Sequence, residues 1–352
     1  MPDSIPYFDG HNDVLLRLYL DRSGQGIQRF VAGGGPGHVD LPRARAGHFV
    51  GGLFATFSPP LPKGSEAGAA KPALPTELSP SLSREQAAEA IVGEAALLFR
   101  LIAASDGQLA LCRTVGEIRA AIAAEQIAVV LHMEGADAIG PDFYMLDLLV
   151  EAGLRSLGPV WSRANIFGHG VPFAFPGSPN VGPGLTEDGK RLVAECNRRR
   201  LLIDVSHLNE AGFWDVAALS DAPLVASHSN VHAISPSPRN LTEQQLDAIS
   251  AHDGFVGLNF ATSFLRPDGQ MRADTEIELM IRHLDALIER LGEDRVGLGS
   301  DFDGAGVPSP IGSVAGVPAL FEALRAHGYG EALLRKIGSE NWLRVLEKTW
   351  GQ

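Results

Sequence analysis

Cysteine is scarce: Cys112 and Cys196 are the only two in 352 residues. Two thiols cannot build a disulfide framework, and their spacing fits no metal motif. They read as small buried hydrophobes in a reducing compartment. Long apolar runs are missing as well. No stretch approaches the roughly 18 residues of a membrane span. Met1-Pro2-Asp3-Ser4 lacks the basic and apolar regions of a signal peptide. Basic side chains are in deficit, with 29 Lys and Arg against 42 Asp and Glu and a net charge of -13. Such a surface disfavours nucleic acid and anionic membrane as partners. It also requires any anionic substrate to meet a local cation. The expectation is a cytoplasmic protein of enzyme size.

Apolar residues make up 45% of the chain and charged ones 20%, which suits a large soluble core. The length fits two domains or one α/β barrel. Short apolar runs recur and read as strands at 6–8, 50–57, 127–133, 154–160, 201–206, 223–227, 254–258 and 295–300. The run at 127–133 is apolar without interruption, as in a parallel strand buried on both faces. Helices alternate with these runs. Ser83 with Gln86 and Thr242 with Gln245 are capping boxes for helices over 84–104 and 243–251. Thr186 caps 187–198, and Thr275 caps a helix ending at Leu291. Further helices are predicted at 115–124, 143–151, 210–219, 318–326, 330–337 and 340–350. Residues 9–49 read as a long excursion. Within it, Gly33-Gly34-Gly35-Pro36-Gly37 is a plain loop, since no strand leads into it as a phosphate cradle requires. The proline-rich stretch 58–82 reads as a surface loop, and 162–184 as a loop able to form part of a site or lid. No linker divides the chain. About eight strands alternating with helices predict a single (β/α)8 TIM-type barrel domain over 1–352, with additional C-terminal helices.

Barrels of this kind carry their chemistry at the C-terminal ends of the strands. Here those ends hold His11 and Asp13, Glu134, Trp161, His207, His228, Asn259 and Asp301. His11 and Asp13 lie two apart and face one point in extended backbone. Imidazole with carboxylate is a ligand set for zinc or a similar metal. Three imidazoles and three carboxylates exceed what one catalytic zinc needs, so the surplus indicates two metals sharing a carboxylate. Metals so placed acidify water and polarise a carbonyl, leaving one carboxylate to move protons.

Taken together, several motifs resemble the membrane (renal) dipeptidase family of zinc metallopeptidases. They are His11-Asn12-Asp13, Glu134-Gly135, His207, His228 followed by Arg239, Asp301-Phe302-Asp303-Gly304, and the C-terminal Glu340-Asn341-Trp342-Leu343-Arg344-Val345-Leu346. They span essentially the whole chain. The resemblance implies a binuclear zinc barrel that cleaves dipeptides, some with a C-terminal D-residue, and that forms a homodimer. It implies two Zn2+ per chain, with His11 and Asp13 on one, His207 and His228 on the other, and Glu134 bridging. Asp301 would be the acid/base, and Arg239 would bind the substrate's terminal carboxylate, for which a guanidinium fork is suited. One position departs. Where membrane-bound members end the fourth predicted strand with a substrate-binding histidine, this chain has Trp161, which offers one N–H donor and no charge. Either His169 takes over from the following loop, or Arg163, Asn165 or the metals alone stabilise the oxyanion. With no signal peptide and no paired cysteines, the chain is similar to a bacterial cytoplasmic form of the family.

Other polar residues have quieter readings. His132 is either a support for the site or a packed core histidine, and Asp204 is structural. His232 lies in the loop that leads to Arg239. Asp303 holds its turn, Asn259 either binds substrate or packs the barrel mouth, and Tyr7 and Phe8 are core. His38, His48, His252, His283 and His327 read as surface or loop residues. Two rival functions stand beside the dipeptidase. One is a metal-dependent amidase, lactonase or deaminase on the same barrel, which Arg239 argues against. The other is a metal carrier without catalysis, which has no use for Asp301.

Overall fold

The computed structural model describes residues 4–60 and 77–351. Nine parallel strands form one sheet: β1 Tyr7–Asn12, β2 Phe49–Phe57, β3 Leu109–Leu111, β4 Ile127–Glu134, β5 Leu154–Gly158, β6 Leu202–Ile203, β7 Val225–Ala226, β8 Phe255–Asn259 and β9 Val296–Gly299. Eight of them run in the order β6-β5-β4-β2-β1-β9-β8-β7. The two ends of this path meet through a parallel bridge between Asp204 and Val225, so the sheet closes on itself. The Val205 amide adds a 2.8 Å bond to the Val225 carbonyl. The result is the expected (β/α)8 barrel. β3, too short to stand out in the sequence, pairs with the start of β4 outside this ring.

Helices sheathe the strands because each presents an apolar stripe inward. In chain order they are α1 Val14–Leu20, α2 Gly26–Ala32, α3 Leu41–Ala46, α4 Arg84–Ala104, α5 Val115–Ala123, α6 Tyr144–Ala152, α7 Glu187–Arg199, α8 Glu210–Leu219, α9 Glu243–Ala251, α10 Thr262–Leu265, α11 Ile277–Leu291, α12 Val317–His327, α13 Glu331–Arg335 and α14 Asn341–Trp350. The capping boxes at Ser83 and Thr242 form as read, and Thr186 accepts from the Gly189 amide. None of the described helices is long and apolar enough to cross a membrane.

Three expectations are corrected. Residues 9–49 are not an irregular excursion, since α1, α2 and α3 lie within them. These helices have six or seven residues each, too short to show a period, although Asp40 with Pro42 marks the start of α3 as an N-cap. Thr275 does not cap α11. Its hydroxyl donates to the Arg272 carbonyl at 2.6 Å, and the helix starts after Glu276 with no side-chain cap. His283 is not a surface residue. It is buried in α11, where Nδ1 accepts from the Val231 amide and Nε2 lies 3.0 Å from the Leu265 carbonyl. Most of the loop read at 58–82 lies outside the described residues.

The lower half of the barrel is filled from outside the ring. Trp342, at the start of α14, is fully buried and packs on Phe255 at 4.2 Å and Phe8 at 6.1 Å between ring centroids. Its indole N–H donates to the Leu298 carbonyl at 2.9 Å. Gly10 makes room for it: a Cβ there would lie 2.4 Å from the indole and 2.4 Å from the Ser227 carbonyl. This plug anchors the strands whose opposite ends carry the polar cluster. Replacing Trp342 with Ala should cost about 3–5 kcal/mol of stability, and Trp342→Phe less, because it keeps ring volume and loses the N–H bond. Denaturant unfolding of both variants measures this, and a loss below about 1 kcal/mol for Trp342→Ala would mean that the plug carries little of the barrel's stability.

Candidate metal centre

Each polar residue at the barrel mouth sits where an apolar strand runs out. β1 delivers His11, with Asp13 just beyond, and their nearest atoms, Nε2 and Oδ2, are 3.5 Å apart. Glu134 is the last residue of β4. His207 follows β6 and His228 follows β7, and Asp301 follows β9. His207, Asp301 and Asp303 hold left-handed backbone at φ 70°, 59° and 70°. Non-glycine residues adopt it only where the surroundings impose it, and such positions cluster at functional sites.

Glu134 is the centre of this geometry. Its Oε1 lies 2.9 Å from His207 Nε2, 3.4 Å from His228 Nε2 and 3.7 Å from His11 Nε2. His11 and His228 stack with ring centroids 4.0 Å apart. Two groups of donor atoms converge within 4.8 Å: His11, Glu134 and His228 form one, and His11, Asp13 and Asp301 the other. Asp301, read from the sequence as a carboxylate without a ligand role, thus stands within reach of a shared ion. Its Oδ2 accepts from Asn259 Nδ2 at 3.0 Å. Asn259 in turn accepts from the Ala261 amide, so it orients Asp301.

The residues fit a metal. His11 is fully buried, and neither ring nitrogen has a hydrogen-bond partner among the described residues. His228 is oriented by a relay. The Ser227 hydroxyl donates to Asp204 and lies 2.7 Å from His228 Nδ1. Having spent its proton on Asp204, it accepts one from Nδ1, which leaves the Nε2 lone pair facing the centre. Ser162 Oγ lies 2.8 Å from His207 Nδ1. Neither serine was singled out from the sequence. Ser227 precedes His228 directly, but only the fold brings Asp204 to it. His132 lies beneath, with Nδ1 2.9 Å from Ser156 Oγ and Nε2 3.7 Å from Asp204.

Burial sets the electrostatics. Desolvation lifts Glu134 to about 8 despite the nearby His11 charge, and raises Asp301 as well. Burial alone would lower His11, but Glu134, Asp13 and Asp301 together take it to about 10. Burial, with Arg239 adding to it, holds His207 and His228 well below the ordinary imidazole value. Neutral imidazoles beside desolvated carboxylates are a donor set that a cation would satisfy.

A cavity of about 140 Å³ opens over the centre. Its lining joins the polar Asp13, Glu134, His207 and Asp301 to the apolar Leu16, Phe57, Trp161, Phe173, Phe264 and Met271. Trp161 meets Phe57 edge to face at 4.9 Å and lies 5.8 Å from the His207 ring. Arg239 is buried under Phe264. It donates to the His228 carbonyl at 3.0 Å, and its Nε has no partner among the described residues. Of the candidates from the sequence, His169 is not brought to this cavity. It lines a separate recess with Glu77, Leu78, Pro172, Val181 and Gly182. His232 is engaged by the Gly177 carbonyl at 2.8 Å. Asp303 holds its loop by accepting from Arg17 and from the His38 amide. His38 lies in a loop, as read, and accepts from the Asp303 amide at 2.9 Å. The apolar wall was not foreseen beyond Trp161, since Leu16, Phe173, Phe264 and Met271 come from segments with no shared pattern.

Comparison with known proteins gives the same picture. A sequence profile described as membrane dipeptidase (peptidase family M19) matches residues 2–350. The crystal structure of dipeptidase AC, a metallo peptidase of family M19, is similar over 99% of this chain and 100% of its own, at 53% identity and TM-score 0.94. So is a metallo peptidase from Rhodobacter sphaeroides liganded with a phosphinate mimic of the dipeptide L-Ala-D-Ala, with the same identity, coverage and TM-score. An uncharacterized protein in the pqqA 5' region of Klebsiella pneumoniae is 49% identical over 257 residues, 73% of this chain and 95% of its own. The chain therefore belongs to the membrane dipeptidase family, peptidase family M19, and is a metallo-dipeptidase with a (β/α)8 barrel.

Proposed function

We propose that His11 and Asp13 hold one zinc ion and His207 and His228 a second, with Glu134 bridging them and Asp301 alongside. The observation that carries this is a single carboxylate oxygen, Glu134 Oε1, within 3.7 Å of three imidazole Nε2 atoms. Metal ions bound there supply Lewis acidity toward the scissile carbonyl and acidify water near neutral pH. The protein's own groups do the rest. Asp301, steered by Asn259, takes the proton that the attacking water releases and delivers it to the departing nitrogen. Arg239 offers its unspent Nε–H to the terminal carboxylate of the substrate, which limits the reaction to dipeptides. Dipeptides ending in a D-residue belong to the substrate range, supported by the L-Ala-D-Ala mimic on the Rhodobacter sphaeroides relative. The same proposal treats 1–352 as one barrel domain working in the cytoplasm. Two buried, unpaired cysteines suit that reducing compartment.

Elemental analysis of protein purified without chelator should find two zinc ions per chain, with dipeptide hydrolysis lost to chelator and restored by zinc. Glu134→Ala should lose metal and activity together. Asp301→Asn should keep at least one of the two ions while kcat falls by about 10²–10⁴-fold. Near-normal turnover by this variant would refute proton transfer through Asp301. Amidating the dipeptide's C-terminus should raise KM sharply, and this effect should disappear in Arg239→Ala; equal cleavage of amide and acid by the unaltered enzyme would remove Arg239 from its role.

Metal-free protein should lose stability as pH rises from 6.5 to 8. Burial lifts Asp9 to about 7 and Glu134 to about 8, so in the fold both keep protons that the unfolded chain has released. His11, raised to about 10, likewise keeps a proton that the unfolded chain gives up above 6.5. In this window the folded state binds more protons, so its stability falls with pH. The depressed His207, His228, His132 and His283 act in the opposite sense, but that contribution fades as pH rises above their ordinary 6.5 while those of Glu134 and His11 persist. Thermal unfolding of chelated protein should give a lower Tm at pH 8 than at pH 6.5, and zinc should flatten the slope. A metal-free Tm that rises with pH would contradict the assignment.

A further inference from the structure

Much of the apolar lining of the cavity is a chain of rings. Phe57 meets Trp161 at 4.9 Å, Trp161 meets Phe173 at 5.5 Å, and Phe173 stacks on Phe264 at 6.0 Å. Leu16 and Met271 add to the apolar lining, and Met271, 44% exposed, marks the rim. Among the described residues, no lysine or arginine lines this cavity. Of the two nearby guanidiniums, Arg163 is turned to other work and Arg239 is the partner proposed above for the terminal carboxylate. Arg163 lies behind Phe57 and Trp161, with its Cζ 5.4 Å and 4.9 Å from their ring centroids, and donates to the Ser58 carbonyl. Arg239 sits beneath Phe264 and is tied to the His228 carbonyl. The acidic groups that line the cavity, Asp13, Glu134 and Asp301, all belong to the metal centre.

We infer that the ring wall selects dipeptides whose two side chains are uncharged and apolar; this deepens the dipeptidase reading and rests on it. The backbone of such a substrate has its charged partners, the metal centre at the scissile carbonyl and Arg239 at the terminal carboxylate. Among the described residues, the wall is the largest surface left for its side chains to meet. An acidic side chain pressed there gives up its hydration with no cation in return. A basic one meets carboxylates already engaged in the metal centre. An apolar one removes its own surface and that of four rings from water together. Discrimination of this kind in an apolar pocket runs to about 10–200-fold per group.

The test is kcat/KM of zinc-replete enzyme on two matched series, Ala-Met, Ala-Gln, Ala-Glu and Ala-Lys, and Met-Ala, Gln-Ala, Glu-Ala and Lys-Ala. The Met, Gln and Glu side chains have nearly one shape and differ in polarity and charge. Met should exceed Glu and Lys by at least about tenfold at both positions, with Gln between. A smaller ratio at either position overturns the inference. Met271→Arg, a change at the half-exposed rim, should narrow the Met-to-Glu ratio by about tenfold with zinc content unchanged, by giving an acidic side chain a partner. An unchanged ratio would remove Met271 from the wall. Failure to cleave any of the eight dipeptides would instead overturn the dipeptidase reading, and this inference with it.

Discussion

A buried carboxylate needs a positive partner, and Glu134 is buried among three imidazoles and two more acids. Desolvation lifts it to about 8, and no lysine or arginine is hydrogen-bonded to it among the described residues. An apolar core does not tolerate such a group for packing reasons. The surrounding residues are arranged as a cation would require. His228 and His207 are turned by serines so that Nε2 points inward, and His11 has both nitrogens unspent. The left-handed backbone at His207 and Asp301 helps aim their side chains at the same point. Without a cation these features are separate costs to stability, and with one they become a single site.

Asp204 links this centre to the barrel itself. Its backbone forms the bridge to Val225 that closes the ring at its thinnest place, where β6 and β7 have two residues each. Its side chain accepts from the Ser206 and Ser227 amides and from the Ser227 hydroxyl that orients His228. One residue therefore fixes both the closure and a histidine tautomer. Short strands would leave a weak seam if held by ladder bonds alone. The carboxylate stitches the seam with side-chain bonds, and the position of His228 follows from that stitching.

The barrel and the converging residues were legible because both follow from simple physics. Strands buried on both faces read as unbroken apolar runs, so a polar residue at the end of one stands out. His11, Glu134, His207, His228 and Asp301 all announce themselves in this way. What stayed hidden depended on tertiary contact. β3 has three residues and exists only because the start of β4 offers it an edge. α1 to α3 are too short to carry a period, and packing makes them helical. Asp204 looked structural, and so it is, but its tie to His228 runs through Ser227, twenty-three positions away. The apolar wall joins residues from five separate segments, and nothing in an aromatic residue marks it as cavity-lining. His169 was a reasonable stand-in for the histidine missing at Trp161, yet its loop carries it into a neighbouring recess.

Trp161 is where that departure joins the ring wall. The resemblance leads one to expect a histidine here, a polar group between the metals and the substrate. The indole instead takes the space with an apolar face, and its neighbours complete the change. Phe57 meets it edge to face, Phe173 continues the surface, and Arg163 packs behind both Phe57 and Trp161. A guanidinium stacked on two rings holds them at defined angles without adding charge to the cavity. The indole stands beside the centre where three histidines and three carboxylates converge, 5.8 Å from the His207 ring. With it, the side-chain space becomes continuous hydrocarbon from Phe57 to Phe264. Histidine at 161 alone would set a smaller, polar ring against Phe57 and Phe173 and leave unfilled the space that the indole occupies, so the change is bound to the wall as a whole.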